Sequence, residues 1–406
     1  MKRITANKEI VLGVTGSIAA YKACELASRL VELEARVTAV LTPSAQELVG
    51  AATFEAITKR RAITRMFEPL QNPDVENIAV ATKADLFLIA PATANVIAKA
   101  AQGVADDWLS TTLLATRAPI LFAPAMNTNM YQHAATQANV EALMERGCRF
   151  VGPATGRLAC GTEGVGRMVE PMAIVEAAIP LLNDQVDLDG RHVVITSGPT
   201  RETIDPVRYI SNRSSGKMGR ALAMEALARG ARVTVVSGPC ETPLPFGAQV
   251  VPVESALEMA ESVVTLAQEA DVFVAAAAVG DYRVENPGDK KLKKSGEALT
   301  LHLVENRDTL ALVTAVKQEG QIIVGFAAET HDLLKNARAK LKEKRLDLIA
   351  ANKVGTPESG FGADAVDATI LSADGEKDAL GLVSKEELAQ RLFDRVAALL
   401  NEPAEE

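Results

Sequence analysis

The chain alternates short apolar runs with longer stretches in which apolar positions recur every three or four residues, a pattern of strands and helices taken in turn. Glu9 to Ser17 reads as a buried strand ending in a tight turn, and the helical pattern Ile18 to Leu33 follows at once. Further strands are predicted at Ala35 to Thr42, Asp85 to Ala92, Ala118 to Ala125 and Arg149 to Pro153, with helical patterns between them. This is the order of a doubly wound sheet. After the amphipathic helix Ala173 to Leu182, the run Asn183-Asp184-Gln185-Val186-Asp187-Leu188-Asp189-Gly190 is polar and turn-rich. The first domain is therefore assigned to residues 1–183, a linker to 184–190 and a second domain to 191–406.

The second domain restarts the same alternation. Arg191 to Ser197, Ala231 to Val236, Asp271 to Val279, Gln321 to Thr330 and Asp347 to Ala351 read as strands, and Arg220 to Ala228 as a helix. Ala368 to Leu371 and Ala379 to Leu382 pair as a predicted hairpin, and Lys385 to Leu400 closes as an amphipathic helix. The fold class is α/β, two doubly wound Rossmann-like domains.

Composition narrows the class of partner. With 406 residues, 48% of them hydrophobic, the chain is long enough for two buried cores. A net charge of −9 supplies no global attraction to nucleic acid or to an anionic membrane surface, so small-molecule partners are expected. No run approaches 18 apolar residues, and Met1-Lys2-Arg3-Ile4-Thr5 lacks the apolar core of a signal peptide, so a cytoplasmic protein is expected. The cysteines Cys24, Cys148, Cys160 and Cys240 are widely spaced without a C-x-x-C pair, which suggests neither a zinc site nor a disulfide framework.

Ligands of doubly wound sheets bind beyond the carboxyl ends of the strands. Polar clusters occupy those places in the first domain: Thr42-Pro43-Ser44, Pro91-Ala92-Thr93-Ala94-Asn95 and Pro124-Ala125-Met126-Asn127-Thr128-Asn129-Met130. Together they point to a nucleotide- or flavin-sized site. The opening turn is spaced G-x-x-G-S, so the dinucleotide fingerprint is absent; the turn either carries a mononucleotide phosphate or is a plain connection. In the second domain, Ser211 to Gly219 (SNRSSGKMG) either caps a helix or receives a phosphate or carboxylate. It is not a Walker A loop, because Met218 follows Gly216-Lys217. Lys290-Lys291-Leu292-Lys293-Lys294 is either a solvated face or a triphosphate clamp, and Lys340 and Lys344 share one helix face.

The segments Gly16 to Lys22 (GSIAAYK), Ala90 to Asn95 (APATAN) and above all Pro124 to Tyr131 (PAMNTNMY) resemble the flavin-dependent cysteine decarboxylases. The resemblance implies a flavodoxin-like, homo-oligomeric domain that binds FMN. It places the cofactor against Gly16, Ser17, Ile18, Thr42, Ser44, Thr93, Asn95 and Ser110, and has Asn127 grip the substrate carboxylate. Ala159-Cys160-Gly161 is similar to the family's flap, whose cysteine donates a proton to the enethiol left by decarboxylation. Gly156, Gly161, Gly164 and Gly166 suggest a mobile loop around it. One position departs from the pattern: where the family has H-I-x-L, this chain has Asn77-Ile78-Ala79-Val80. An amide cannot take a proton near neutral pH, so a decarboxylase half that binds FMN and turns over poorly is expected.

Gly198 to Glu202, Asp205 to Asn212, Ser214 to Gly219, Lys291 to Lys294 and Gly325 to Thr330 resemble, in this order, the ligase half of the bacterial bifunctional phosphopantothenoylcysteine synthetase/decarboxylases. The resemblance implies a role in coenzyme A biosynthesis. CTP would activate 4′-phosphopantothenate as an acyl-cytidylate, and the amine of L-cysteine would displace CMP. Asp281, Lys291, Arg307, Asp308, Thr309, Phe326, Lys340 and Lys344 match the family's CTP contacts, with Lys291 and Asn212 in catalytic roles and Mg2+ accompanying CTP. The family's N-P-D is Asn306-Arg307-Asp308 here, and Gly280 stands where Ala or Ser is usual; both are loop changes expected to be tolerated. Trimers of the first half and dimers of the second would combine into a dodecamer. A ligase with a merely flavin-binding oligomerisation or regulatory module is the alternative. A nicotinamide-dependent reductase is disfavoured by the missing G-x-G-x-x-G.

Overall fold

The computed structural model describes residues 1–66, 76–159, 161–293, 298–329, 331–353 and 363–401, with only the backbone of residues 76 and 77. The chain divides into two compact units, Met1–Asp184 and Gln185–Glu406.

The first unit is built on a five-stranded parallel sheet in the order β2-β1-β3-β4-β5. Its strands are β1 (Glu9–Val14), β2 (Arg36–Leu41), β3 (Leu86–Ala92), β4 (Ile120–Pro124) and β5 (Arg149–Phe150). Helices cover the sheet, which is why β3 is buried along its whole length and reads as an unbroken apolar run. The strand order reverses between β1 and β3, a flavodoxin-like topology that opens a crevice beyond the carboxyl ends of those strands. The glycine-rich segment predicted as a mobile loop instead forms, in its described part, an antiparallel hairpin of β6 (Ala154–Arg157) and β7 (Glu163–Arg167). Thr155 pairs with Val165 and Gly156 with Gly164, so backbone hydrogen bonding organises residues that lack bulky side chains.

The second unit contains β8 (His192–Ser197), β9 (Arg201–Asp205), β10 (Arg208–Ser211), β11 (Arg232–Ser237), β12 (Gln249–Pro252), β13 (Val272–Ala275), β14 (Tyr282–Val284), β15 (Leu303–Glu305), β16 (Ile322–Glu329), β17 (Leu348–Lys353), β18 (Ala365–Ser372) and β19 (Lys377–Ser384). Eight of them make one sheet, β12-β11-β8-β13-β16-β17-β18-β19, parallel as far as β17 and antiparallel through the β18–β19 hairpin. Alternate residues feed opposite faces. Val193 and Ile195 pack with the helices Lys217–Ala228 and Lys385–Asn401, while Val194 joins Phe273 and Ile323 under the helices Ala256–Ala267 and Leu333–Glu343. The switch point falls between β8 and β13.

Two expectations change here. The run Asp271 to Val279 is a strand only as far as Ala275. Beyond it the backbone turns to other partners: Ala277 N–H donates to Thr196 Oγ1 (3.1 Å), and Ala278 N–H to the carbonyl of Gly198 (2.9 Å). Apolarity alone does not register that change of partner. The helix predicted from Arg220 begins at Lys217, after Gly216 in the left-handed conformation (φ 77°). Ser211 ends a strand, so the polar loop is shorter than its composition suggests.

Candidate active sites

In the first unit, Ser17, Ile18, Lys22 and Asn127 border a cavity of about 530 Å3 that Arg157 and Arg167 of the β6–β7 hairpin enclose from another side. Asn127 caps the short helix Thr128–Gln132, its Oδ1 accepting the N–H of Asn129 at 2.9 Å. The hairpin is fastened to this motif: Met126 N–H donates to the carbonyl of Gly166 (2.9 Å). Gly166 sits at φ 148°, where a Cβ would stand 2.2 Å from the Met126 carbonyl oxygen, so only glycine permits the approach. Lys22 donates to Glu170 at 3.0 Å and Arg167 pairs with the same carboxylate. The Lys22 hydrogen bond, opposed by partial burial, holds Glu170 below the usual carboxylate range.

The predicted cofactor residues gather in part. Gly16 lies against Ser44 so closely that a Cβ would meet the serine Cβ at 2.4 Å, which joins the loops after β1 and β2. Thr42 and Thr93 cap the helices after β2 and β3, and Thr93 N–H donates to Thr15 Oγ1 at 3.1 Å. Gly16, Ser17, Thr42, Ser44 and Thr93 thus meet at the switch point, with Asn95 exposed on the next helix. Of the eight, only Ser17 and Ile18 line the cavity; Gly16, Thr42, Ser44, Thr93 and Asn95 lie outside its lining, and Ser110 is buried in a capping box with Asp107 at the start of the helix Trp108–Ala115. The side chain of Asn77, in the helix Glu76–Lys83, and all of Cys160 lie outside the described residues.

The second unit has two adjoining cavities, of about 440 and about 150 Å3, which share Ala277 and Phe326. Asp281, Arg307, Asp308, Thr309 and Lys340 line the larger. Lys340 reaches it from the helix Leu333–Glu343 and donates to the Phe326 carbonyl (2.9 Å). Burial pushes its ammonium below the ordinary lysine range, only partly offset by Asp308, Glu329 and Asp281. Asp308 caps the helix Thr309–Ala315 and pairs with Lys344 at 3.0 Å. Burial works against its ionised form, but the Ala311 N–H and Lys344 prevail and hold its carboxyl below the usual range. Lys291 is exposed and lines neither cavity.

Ser214, Gly216 and Lys217 line the smaller cavity, opposite Asn352 and Lys385. Lys385 is 7% exposed, donates to the Ala363 carbonyl, and is pushed down by burial and then by the nearby Lys217 cation. Asn212 lines neither cavity but is bonded to a residue of each. Its Nδ2 donates to the carbonyls of Ala278 (3.2 Å) and Val279 (2.9 Å), the first lining the smaller cavity and the second the larger.

Sequence reasoning missed Lys385 and Asn352. Asn352 had a signal, a polar residue after the buried strand residues Ala350 and Ala351; Lys385 had none, because only the packing of the final helix brings it here. Among the described residues, buried hydroxyls without a hydrogen-bond partner are those of Thr128, Ser197 and Thr309. Thr128 adjoins Asn127, Ser197 lies under Gly216 and Gly219, and Thr309 lines the larger cavity. Of the three, only Thr309 lines one of these cavities. Among the described residues, no cluster of three or more His, Cys, Asp or Glu side chains gathers for a metal, and no helix is long and apolar enough to cross a membrane.

Comparison with known proteins agrees with the two-part architecture. Residues 1–183 match the Flavoprotein family, and residues 188–400 match the family described as DNA/pantothenate metabolism flavoprotein C-terminal domain. The coenzyme A biosynthesis bifunctional protein CoaBC of Bacillus subtilis (strain 168) is 45% identical over 403 residues, 98% of this chain and 99% of that protein. Its namesake in Escherichia coli (strain K12) is 43% identical over 400 residues, 98% of each chain. The one in Mycobacterium bovis is 44% identical, covering 97% of each. Matched in both halves and along almost its whole length, the chain belongs to the family of coenzyme A biosynthesis bifunctional proteins.

Proposed function

We propose that the second unit joins 4′-phosphopantothenate to L-cysteine with CTP, and that the first unit decarboxylates the product with FMN. The observation that carries the reading is the pair of adjoining cavities that share Ala277 and Phe326, with the Asn212 amide bonded to a lining residue of each. A nucleotide-sized cavity walled by Asp281, Arg307, Asp308 and Lys340 meets a second, lysine-lined cavity, and one amide is bonded to both walls. An acyl group activated by a nucleotide has to be held at such a junction while an amine attacks it. Lys340 and Arg307, which line the larger cavity, supply cations for the phosphates, joined by Lys344 and Lys291 from outside its lining; Phe326 and Thr309 border the nucleotide, and Asn212 holds the acyl intermediate. Mg2+ comes with the triphosphate, whose charge it offsets.

In the first unit, the close approach at Gly16 and the capped strand ends at Thr42 and Thr93 fit FMN, with Ser17, Ile18, Ser44 and Asn95 as further family positions; Ser110, held in its capping box, acts on the cofactor only through the helix it starts. FMN, when bound, supplies the redox chemistry that makes loss of the cysteine carboxylate feasible. Asn127 orients that carboxylate and Cys160 returns a proton to the product. Asn77, in place of histidine, slows this half. We further propose a cytoplasmic homo-oligomer, a dodecamer of trimers and dimers.

Protein incubated with 4′-phosphopantothenate, L-cysteine and CTP tests the reading, products being identified by mass. Accumulation of phosphopantothenoylcysteine with slow onward conversion is expected; absence of any cysteine adduct overturns the ligase assignment. Asn77→His should raise carbon dioxide release by at least about 100-fold. No gain overturns the reading of Asn77.

A further inference from the structure

The cationic segment around Lys291 is fastened by a residue outside both cavities. Asp205 ends β9, and its side chain is wholly inaccessible to solvent. Its Oδ1 accepts the N–H groups of Val207 and Arg208, both at 2.9 Å, which closes the turn between β9 and β10. Its Oδ2 accepts Arg208 Nε at 3.0 Å and the backbone N–H of Leu292 at 3.1 Å. Arg208 in turn donates from Nη2 to the Leu292 carbonyl at 2.9 Å. Both backbone groups of Leu292 are thus held by one ion pair. Gly288 N–H adds a contact to the Ile204 carbonyl at 2.9 Å. The exposed side chains of Lys290, Lys291 and Lys293 flank the clamped residue, and the strand that follows the turn, β10, leads directly into Asn212.

A turn alone uses only the two N–H groups on Oδ1. The second carboxylate oxygen, buried, reaches across 87 residues to hold backbone that belongs to no regular element. Lysine-rich chain carries large conformational entropy, so a cation used on a phosphate benefits from having its backbone fixed in advance.

We propose that Asp205 is a positioning residue for the nucleotide step, fixing the lysine segment to the hairpin that leads into Asn212. This rests on the reading of Lys291 as a CTP contact. Asp205 touches no reactant; it acts through Leu292.

Asp205→Asn turns an amide N–H toward the Leu292 N–H or toward Arg208 and removes the charge that both bonds depend on. Losing charge-assisted bonds of this kind shifts local opening by roughly 10- to 100-fold. In the full-length protein, trypsin should therefore cut after Lys290, Lys291 or Lys293 at least about 10-fold faster, since cleavage follows the open population. The KM for CTP should rise about 10-fold while kcat changes less than about 2-fold, and Asp205→Asn should add nothing to Lys291→Ala. Leu292→Pro removes the same N–H while leaving the carboxylate and its turn intact, so it reports if Asp205→Asn fails to fold, with cleavage read after Lys290 and Lys293 because trypsin does not cut a Lys–Pro bond. Trypsin cleavage at the wild-type rate in both variants overturns the latch. A kcat loss at unchanged KM in Asp205→Asn overturns its positioning role. Lys291→Ala with an unchanged KM for CTP overturns the CTP reading of Lys291 and not the latch, which the trypsin rates decide alone.

Discussion

Asn212→Asp is the substitution that most directly tests how the two cavities of the second unit work together. The amide donates at 3.2 Å to Ala278 and at 2.9 Å to Val279, residues that line the smaller and the larger cavity. Aspartate replaces the two donors with an oxygen. Two neutral hydrogen bonds lost amount to about 1–3 kcal/mol. Asn212 is exposed, so repulsion between the new charge and the carbonyls and phosphates is screened and adds only about 1 kcal/mol. The sum, about 2–4 kcal/mol, corresponds to a rate loss of roughly 30- to 1,000-fold. The loss should fall on the second step, because the first is served by Lys340, Arg307 and Asp308 on the far wall of the larger cavity. The assay is a single-turnover quench with CTP and 4′-phosphopantothenate, with and without cysteine, read by mass. Accumulated acyl-cytidylate that cysteine discharges slowly is expected. Asn212→Ala loses the same bonds without the charge and should be less affected. An Asn212→Asp enzyme that forms no acyl-cytidylate, or that ligates at the wild-type rate, would refute the reasoning.

Arg229 is fully buried and bonds Asp187 (3.2 Å), Glu225 (2.9 Å) and Asp394 (2.6 Å), tying the helices Lys217–Ala228 and Lys385–Asn401 together. Arg229→Met leaves those acids uncompensated and should lower unfolding free energy by about 3 kcal/mol, the low end for a broken buried pair because the acids are partly exposed; a urea midpoint unchanged from wild type contradicts this. Gly166→Ala puts a methyl group into the Met126 carbonyl at a positive φ and should cut flavin bound per chain by at least about 10-fold, read from absorbance, whereas full flavin content would show that β7 can shift freely. His192, bonded to Thr234 and Glu269, is depressed below its ordinary pKa of 6.5 chiefly by burial. The unfolded chain therefore takes up its proton first. The stabilisation is present above pH 6.5 and is lost as pH falls, so the urea midpoint should drop between pH 7.5 and 5.5 more steeply in wild type than in His192→Gln; parallel profiles exclude the effect.

Local chemistry made much of this legible beforehand. Strands buried on both faces must be continuously apolar, and runs such as Leu86 to Ala92 announce themselves; Thr42 and Thr93 were visible as polar residues where such runs stop. Hairpins were harder. Arg201 to Ser211 and Ala154 to Arg167 carry charged and glycine-rich residues without clean alternation, because their stability comes from cross-strand backbone pairing. The four apolar residues after Ala275 look like more strand, yet they leave the sheet because Thr196, Gly198 and Asn212 offer hydrogen-bond partners that no local pattern encodes.

Leaving aside the hairpins β6–β7 and β9–β10, the sequence by itself determined the apolar strands of the two main sheets, the two-part division and the motifs that place the chain in its family. These depend on residues near one another along the chain. Tertiary structure decided which side chains share a cavity: Lys385 beside Lys217, Asn352 opposite Ser214, and Asp205 holding Leu292. The cause is strand order. The sheet β12-β11-β8-β13-β16-β17-β18-β19 brings the ends of β8, β13, β16 and β17 together at one edge, and residues more than a hundred positions apart meet there through packing alone.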